Sequence, residues 1–124
     1  MTLYLNKDTI CAISSGGGMS AIALIRLSGD KSISIINKIF SKKINLEDSH
    51  SVHFGIIKEN NNILDEVVVT VFAKNKSFTR EETVEISCHG SEFIQKKILE
   101  LLIAQGVRIA NPGEFTMRAF QNGK

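Results

Sequence analysis

Apolar residues form two kinds of pattern along this chain. Some stand in short runs between polar or glycine-containing stretches, as in strands, and others recur every three or four residues, as on the inner face of a helix. These patterns predict helices over 31–40, 91–105 and 114–121 and strands over 8–13, 21–27, 52–58, 63–72, 84–89 and 107–109. Strands interleaved with helices predict one α+β domain with a mixed β-sheet and about three helices.

Local signals mark the ends of several of these elements. Asparagines at 60–62 tolerate turn conformations, so the third and fourth strands are predicted to form a β-hairpin. Asp30 or Ser28 is predicted to cap the first helix, because short polar side chains accept the first unpaired backbone N–H groups. Ser91 is the predicted cap of the second helix, which Gly106 is predicted to end.

One charged residue, Arg26, interrupts a run that otherwise has the composition of a strand buried on both faces. A buried guanidinium needs a partner, because an isolated charge inside a protein is strongly destabilising. The partner is expected to be an internal carboxylate or an anionic ligand. The alternative is that the side chain extends from the end of the strand into water.

A second charged residue, Glu85, lies in the strand predicted over 84–89. Its neighbours on either side are apolar, so Glu85, Ser87 and His89 are expected to share the opposite face. The simpler interpretation is a solvated polar face. The alternative is a carboxylate at the floor of a cleft, able to accept two parallel N–H donors from a flat heterocycle or from Arg26.

Composition and charge exclude several classes of protein. The chain has 124 residues, 43% of them hydrophobic and 23% charged, as in one soluble domain. The net charge of +2 and the scattered lysines do not favour a nucleic-acid binder. The sequence shows neither a secretory signal nor an apolar run of the roughly 20 residues that cross a membrane, which predicts a cytoplasmic location. Cys11 and Cys88 are predicted to be buried free thiols.

The remaining polar motifs do not predict a catalytic or metal site in this segment. Gly16-Gly17-Gly18 lies between two predicted strands and lacks the order of a phosphate-binding loop, so it is interpreted as a turn. The three histidines, His50, His53 and His89, show neither metal-ligand spacing nor an associated nucleophile and are interpreted as structural.

Four ordered blocks of sequence stand out, and they span almost the whole chain. They are Asp8-Thr9-Ile10-Cys11-Ala12-Ile13, Ile25-Arg26-Leu27-Ser28-Gly29, Ser77-Phe78-Thr79-Arg80-Glu81-Glu82 with Val84-Glu85-Ile86-Ser87-Cys88-His89-Gly90, and Asn111-Pro112-Gly113-Glu114-Phe115-Thr116-Met117-Arg118-Ala119-Phe120-Gln121-Asn122-Gly123-Lys124. Together they resemble the N-terminal domain of the tRNA-modification GTPases called MnmE or TrmE.

The resemblance implies that residues 1–124 form a folate-binding, homodimerising N-terminal domain, similar in fold to the folate-binding domain of aminomethyltransferases. Its ligand would be 5-formyltetrahydrofolate or a related tetrahydrofolate. A helical domain and a GTPase domain, with GTP, potassium and magnesium, would lie outside this segment. With the flavin-dependent partner MnmG, the complete protein would build carboxymethylaminomethyl- or aminomethyl-type modifications on the wobble uridine of tRNA. The segment alone is expected to catalyse nothing.

Carried over by residue, the family's folate contacts fall on Arg26, Glu85 and Lys124. Glu85 would suit the adjacent amine and ring N–H of a pterin, and Arg26 or Lys124 the anionic glutamyl tail. One segment departs from the family, which typically has a Thr-Pro-Pro-Gly-Arg-Gly-Gly-like loop where this chain has neither proline nor arginine, at 14–20. Without proline this loop is expected to be more mobile, and family contacts made through it are not carried over.

Two other functions are compatible with the sequence. A stand-alone folate enzyme of the aminomethyltransferase type would need a general base, for which Asp65 and Glu66 are the candidates. A ligand-free structural dimerisation module would instead pair Arg26 with Glu85 inside the protein.

Overall fold

The computed structural model describes residues 7–15, 21–45 and 50–123. Every predicted strand and helix is present in these residues, with ends that differ by at most two positions. No helix within the described ranges is long and apolar enough to cross a membrane. The elements are β1 (Ile10–Ile13), β2 (Ile22–Ser28), α1 (Ser32–Ile39), β3 (Ser51–Glu59), β4 (Asn62–Phe72), β5 (Thr83–His89), α2 (Glu92–Ala104), β6 (Arg108–Ile109) and α3 (Glu114–Gln121).

The strands form one sheet in the order β3-β4-β5-β2-β1-β6. Strands β1 and β6 are parallel and every other neighbouring pair is antiparallel, so the predicted mixed sheet of an α+β fold is confirmed. The predicted hairpin is β3–β4, which closes at the pair Glu59 and Asn62. Asn60 in its turn has a left-handed φ of 57°, a conformation that asparagine tolerates better than most residues.

Helices α1 and α2 cover one face of the sheet. Ile36 of α1 and Ile98 and Leu102 of α2 are fully buried in the same apolar cluster as Ile25 and Ile86 of the central strands. In the strands, Ile25 and Ile86 alternate with residues of the opposite face, as the two-residue period of a strand requires. Removing this apolar surface from water supplies the main favourable contribution to folding.

The opposite face of the central sheet carries the charged residues identified in the sequence. Across four neighbouring strands, Ala12 pairs with Arg26, Arg26 with Glu85, and Glu85 with Thr70. Helix α3 lies against this face, since the ring of its Phe115 is 5.3 Å from the Arg26 guanidinium carbon. The charged pair is therefore placed between the sheet and a helix.

The predicted cap of α1 is wrong, whereas that of α2 is confirmed. Lys31 precedes α1 without a capping side chain, and the Ile33 N–H donates to Oε2 of Glu82 at 2.8 Å. Burial raises the pKa of the Glu82 carboxyl. A carboxylate 49 positions further along the chain thus replaces a local cap, which no local pattern can show. In α2, the Ile94 N–H donates to Ser91 Oγ at 3.1 Å, as predicted.

Both cysteines have the environment that the sequence predicts. Cys11 and Cys88 are buried and free, and both belong to the core cluster. Burial raises the pKa of each thiol to about 11, because the thiolate loses its hydration in an apolar surrounding. At neutral pH both side chains are therefore protonated and behave as small apolar groups.

The link between β2 and α1 depends on a glycine. Gly29 has a φ of +139°, and a Cβ built on it would lie 2.6 Å from Cα of Thr9. Its N–H donates to the Glu82 carbonyl at 2.9 Å, and its own carbonyl accepts from the Ser32 hydroxyl at 2.8 Å. A side chain here is thus excluded by both backbone conformation and space.

We expect Gly29→Ala to lower the free energy of unfolding by about 3 kcal/mol, from an unfavourable φ together with a steric clash. Gly106→Ala is the matched control, because Gly106 also has a positive φ of +95° but nothing lies within 4 Å of the place that its Cβ would take. Its expected loss is about 1 kcal/mol. Urea unfolding followed by circular dichroism measures both; equal losses would show that the contact with Thr9 is unimportant.

Candidate functional site

Arg26 and Glu85 form an ion pair across strands β2 and β5. Arg26 Nε donates to Glu85 Oε2 at 3.0 Å, and their side chains are 22% and 19% exposed. The two residues are directly opposite in the antiparallel register, so the backbone itself sets their approach. The expected partner of the half-buried guanidinium is thus an internal carboxylate. Oε1 of Glu85 accepts no hydrogen bond from the described residues.

Two phenylalanine rings flank the guanidinium. Its carbon lies 5.4 Å from the ring centre of Phe78 and 5.3 Å from that of Phe115. A cation within about 6 Å of an aromatic ring is attracted by the negative charge density of its face. Phe78 precedes β5 and Phe115 is in the first turn of α3, so the sheet alone does not build this arrangement. Sequence reasoning missed both rings, although both stand in the sequence blocks quoted above.

Arg26 lines a cleft of about 490 Å³, which we call the Arg26 cleft. This volume is in the range of small-molecule sites. Its walls are the end of β1, the ring of Phe78 and the segment from the end of β6 into α3. Glu85 is not among the lining residues, and its link to the cleft is its contact with Arg26. The lining residues are Ala12, Ile13, Ser14, Arg26, Phe78, Ala110, Asn111, Pro112, Gly113, Phe115 and Thr116.

An ion network centred on the buried Arg118 holds α3 against the sheet. Arg118, only 3% exposed, donates to the Asp8 carbonyl at 2.6 Å and to Asp8 Oδ1 at 2.8 Å, and lies 3.2 Å from both Glu81 oxygens. Arg108 donates two hydrogen bonds to each of Asp8 and Glu114. The network therefore joins the segment before β1 to β6, to α3 and to the loop before β5, and so holds α3 and the Phe78 loop, which line the Arg26 cleft.

The same network lowers the pKa of two of its carboxyl groups. Hydrogen bonds from Arg108 hold the pKa of Asp8 and of Glu114 below their ordinary values, against the opposing effect of burial. The two carboxylates in turn raise the pKa of Arg108, so this guanidinium stays charged. Both carboxylates are thus ionised at neutral pH. Sequence reasoning missed the network, but the four-residue spacing of Glu114 and Arg118 on one helix face was an available signal.

His89 and Asp65 are hydrogen-bonded to each other, outside the Arg26 cleft. The Asp65 carboxylate lies 2.7 Å from His89 Nδ1 and accepts the His89 backbone N–H at 2.8 Å. Glu66 is exposed on β4, and neither candidate base lines the Arg26 cleft. The two carboxylates are therefore not placed to act on a ligand in that cleft.

The other histidines stand singly. His53 Nε2 is 2.7 Å from the Ser51 hydroxyl, and the His50 ring packs edge-on against Phe72. Within the described ranges no three metal-ligating side chains cluster. Two positions singled out in the sequence, Lys124 and the predicted turn at Gly16–Gly18, lie outside the described residues.

Comparison with known proteins gives one family. The family model described as "GTP-binding protein TrmE N-terminus" matches residues 9–124. A protein of Cytophaga hutchinsonii is 54% identical over 99% of this chain, and one of Streptococcus thermophilus is 52% identical over 100% of it. A third, of Flavobacterium johnsoniae, is 47% identical over 97%. All three are named tRNA modification GTPase MnmE, and the chain spans 27% of the length of each.

The ion network predicts a specific dependence of stability on pH. Because the folded state lowers the pKa of Asp8, its stabilising effect is present above the ordinary aspartate pKa near 3.8 and is lost as the pH falls through the lower folded value. We expect Asp8→Asn to cost about 1 kcal/mol at pH 7, and the difference from the wild type to shrink as the pH falls toward 3.

Urea unfolding at several pH values measures this difference. Glu66→Gln serves as the control, because Glu66 is exposed and makes no ion pair with a described residue. A loss for Asp8→Asn that stays constant or grows as the pH falls would contradict the proposed role of the Asp8 charge.

Proposed function

Since this chain belongs to the family of GTP-binding protein TrmE N-termini, we propose that it is the folate-binding, homodimerising N-terminal part of a cytoplasmic tRNA-modification GTPase. In this proposal the Arg26 cleft binds 5-formyltetrahydrofolate or a related tetrahydrofolate. The observation that carries it is the Arg26 guanidinium, held between two aromatic rings in a cleft of about 490 Å³.

The chemistry of the Arg26 cleft suits a reduced folate. A pterin is flat and polar at its edge, and aromatic side chains such as Phe78 and Phe115 offer it faces and edges to pack against. Arg26 has N–H donors beyond the Nε that Glu85 occupies, and these can bind an anionic or carbonyl oxygen of the ligand. Glu85 lies beside Arg26 rather than in the lining of the cleft, and its Oε1, which accepts from no described residue, can accept an N–H of a pterin that reaches past Arg26.

Lys124 completes the proposed set of folate contacts. Its assignment rests on the position of this lysine at the end of the Asn-Gly-Lys block, because it lies outside the described residues. A lysine ammonium suits the carboxylates of the glutamyl tail, which is anionic at neutral pH.

The remaining chemistry belongs to the complete protein. The relatives are named tRNA modification GTPases, and this chain spans about a quarter of their length. We place GTP hydrolysis, with potassium and magnesium, in a domain outside this chain. Together with MnmG, the complete protein would modify the wobble uridine of tRNA, with folate supplying the one-carbon unit.

A second function, a ligand-free dimerisation module, is favoured by one observation. The Arg26–Glu85 pair already satisfies part of the charge that would otherwise need a ligand. The third alternative, a stand-alone aminomethyltransferase-like enzyme, lacks support because neither Asp65 nor Glu66 lines the Arg26 cleft.

Isothermal titration of the complete protein with 5-formyltetrahydrofolate separates binding from a purely structural role. We expect Arg26→Lys and Glu85→Gln each to weaken binding about tenfold or more, because each removes a charge-assisted hydrogen bond. The matched controls are Arg80→Lys and Glu66→Gln, neither of which alters a residue that lines the Arg26 cleft. Wild-type affinity in both test variants, or no binding by the wild type, would contradict the folate proposal.

The proposed homodimer has a suitable surface on the sheet face that α1 and α2 leave uncovered. Ile22, Val52 and Phe54 on this face are each more than half exposed. Exposed apolar side chains that lie together on a sheet commonly mark a protein interface.

We expect Phe54→Glu to dissociate the dimer, raising its dissociation constant about tenfold or more, because a charge would be buried between the subunits. Sedimentation velocity at several protein concentrations measures this constant. Phe93→Glu is the control, since Phe93 is similarly exposed but lies on α2, on the other side of the sheet. An unchanged dimer in Phe54→Glu, or loss of the dimer in Phe93→Glu, would contradict this interface.

A further inference from the structure

A second pocket, of about 150 Å³, lies where several elements meet at one end of the sheet. We call it the corner pocket. Lys7 comes from the segment before β1, Lys74 and Arg80 from the loop between β4 and β5, and Gln121 from the last turn of α3. Asp30, Asn75, Glu81 and Asn122 also line it, and none of these eight residues lines the Arg26 cleft.

The corner pocket has an excess of positive charge. In the part of the chain that the structure describes, no carboxylate lies within ion-pair distance of Lys7, Lys74 or Arg80. Of the two acidic lining residues, Glu81 is paired with Arg118 at 3.2 Å, a guanidinium that it shares with Asp8 and Glu114. The pocket is thus lined by three cations and two carboxylates, an excess of one positive charge. This imbalance favours a bound anion.

A buried amide adds a donor without a partner. Nε2 of Gln121 is shielded from solvent and makes no hydrogen bond within the described residues. A buried N–H group without an acceptor is destabilising, so such groups are uncommon unless something else satisfies them. An oxyanion in the corner pocket would accept this N–H together with those of the basic side chains.

Arg80 is held in the corner pocket at some conformational cost. Its φ is +64°, in the left-handed region that a residue with a side chain seldom adopts. The Asn75 N–H donates to the Arg80 carbonyl at 2.9 Å, which closes the loop, and Arg80 Nη1 donates to the Asn122 carbonyl at 3.4 Å. A strained residue that carries a charge into a pocket points to a function rather than to stability.

We propose that the corner pocket binds a phosphate oxyanion. Lysine and arginine bind phosphate oxygens through charge-assisted hydrogen bonds, and the Gln121 amide adds a neutral donor. Its source would be a backbone phosphate of the tRNA, which rests on the proposed function, or a free phosphate. A single phosphate contact is consistent with the modest net charge of +2, which argues only against a broad nucleic-acid surface.

Two titrations of the complete protein test this site. One measures the binding of inorganic phosphate by calorimetry, and the other measures tRNA binding as a function of potassium chloride concentration. We expect Lys74→Gln and Arg80→Gly each to weaken phosphate binding about fivefold or more, as loss of one charged contact does. If the phosphate belongs to tRNA, the slope of log affinity against log salt concentration falls by about one for each variant.

The Arg80→Gly variant shows whether weaker phosphate binding could result from misfolding. Glycine readily adopts a positive φ, so we expect this variant to unfold at a temperature no lower than the wild type. Lys96→Gln is the matched control for Lys74→Gln, because Lys96 is exposed on α2 and makes no ion pair with a described residue.

The results separate the two sources and the two proposals. Weaker binding of both phosphate and tRNA supports a backbone contact, and weaker binding of phosphate alone supports a free phosphate. Wild-type affinity for both in Lys74→Gln and Arg80→Gly would overturn the site. Binding of 5-formyltetrahydrofolate, measured in the same variants, is expected to be unchanged. A wild type that binds phosphate but not folate would overturn the folate proposal alone.

Discussion

The hydrogen bond between Arg26 Nε and Glu85 Oε2 is the contact on which the candidate site depends. A guanidinium in the middle of a sheet would be costly to fold without it, because the charge loses much of its hydration there. The opposite positions of Arg26 and Glu85 in the antiparallel register supply this partner directly. One nitrogen of Arg26 is thereby fixed, and the rest of the guanidinium is directed toward the cleft and its two aromatic rings.

A sheet face becomes a cleft only because α3 is held above it. The Arg118 and Arg108 guanidiniums bind three carboxylates at the contact of α3 with the start of β1 and the loop before β5. Arg118 is buried, so removing a carboxylate that pairs with it leaves its charge less compensated, which is destabilising. The network therefore fixes both Phe115, in α3, and the loop that carries Phe78. Stability of the fold and geometry of the cleft depend on the same ion pairs.

Local sequence patterns were sufficient to predict the strands and helices, because the spacing of apolar residues in each one depends only on residues close together in the chain. Within the described residues they located every strand and helix, the Ser91 cap and the asparagine turn of the hairpin. They failed at the cap of α1, since Glu82 reaches it from a distant part of the chain. They also missed the rings around Arg26, because spacing along the sequence does not reveal which loop returns to which strand. Charge in an apolar run did single out Arg26 correctly as a residue that needs a partner.

We propose that Arg26, fixed by Glu85 and flanked by Phe78 and Phe115, is the polar end of a folate site. Nuclear magnetic resonance of the complete protein, with arginine side chains and phenylalanine rings labelled, tests it directly during titration with 5-formyltetrahydrofolate. We expect saturable shifts of the Arg26 Nε–H signal and of the Phe78 and Phe115 ring signals, with the Arg80 Nε–H signal unmoved. Saturable binding that leaves the Arg26 and ring signals unchanged would contradict it.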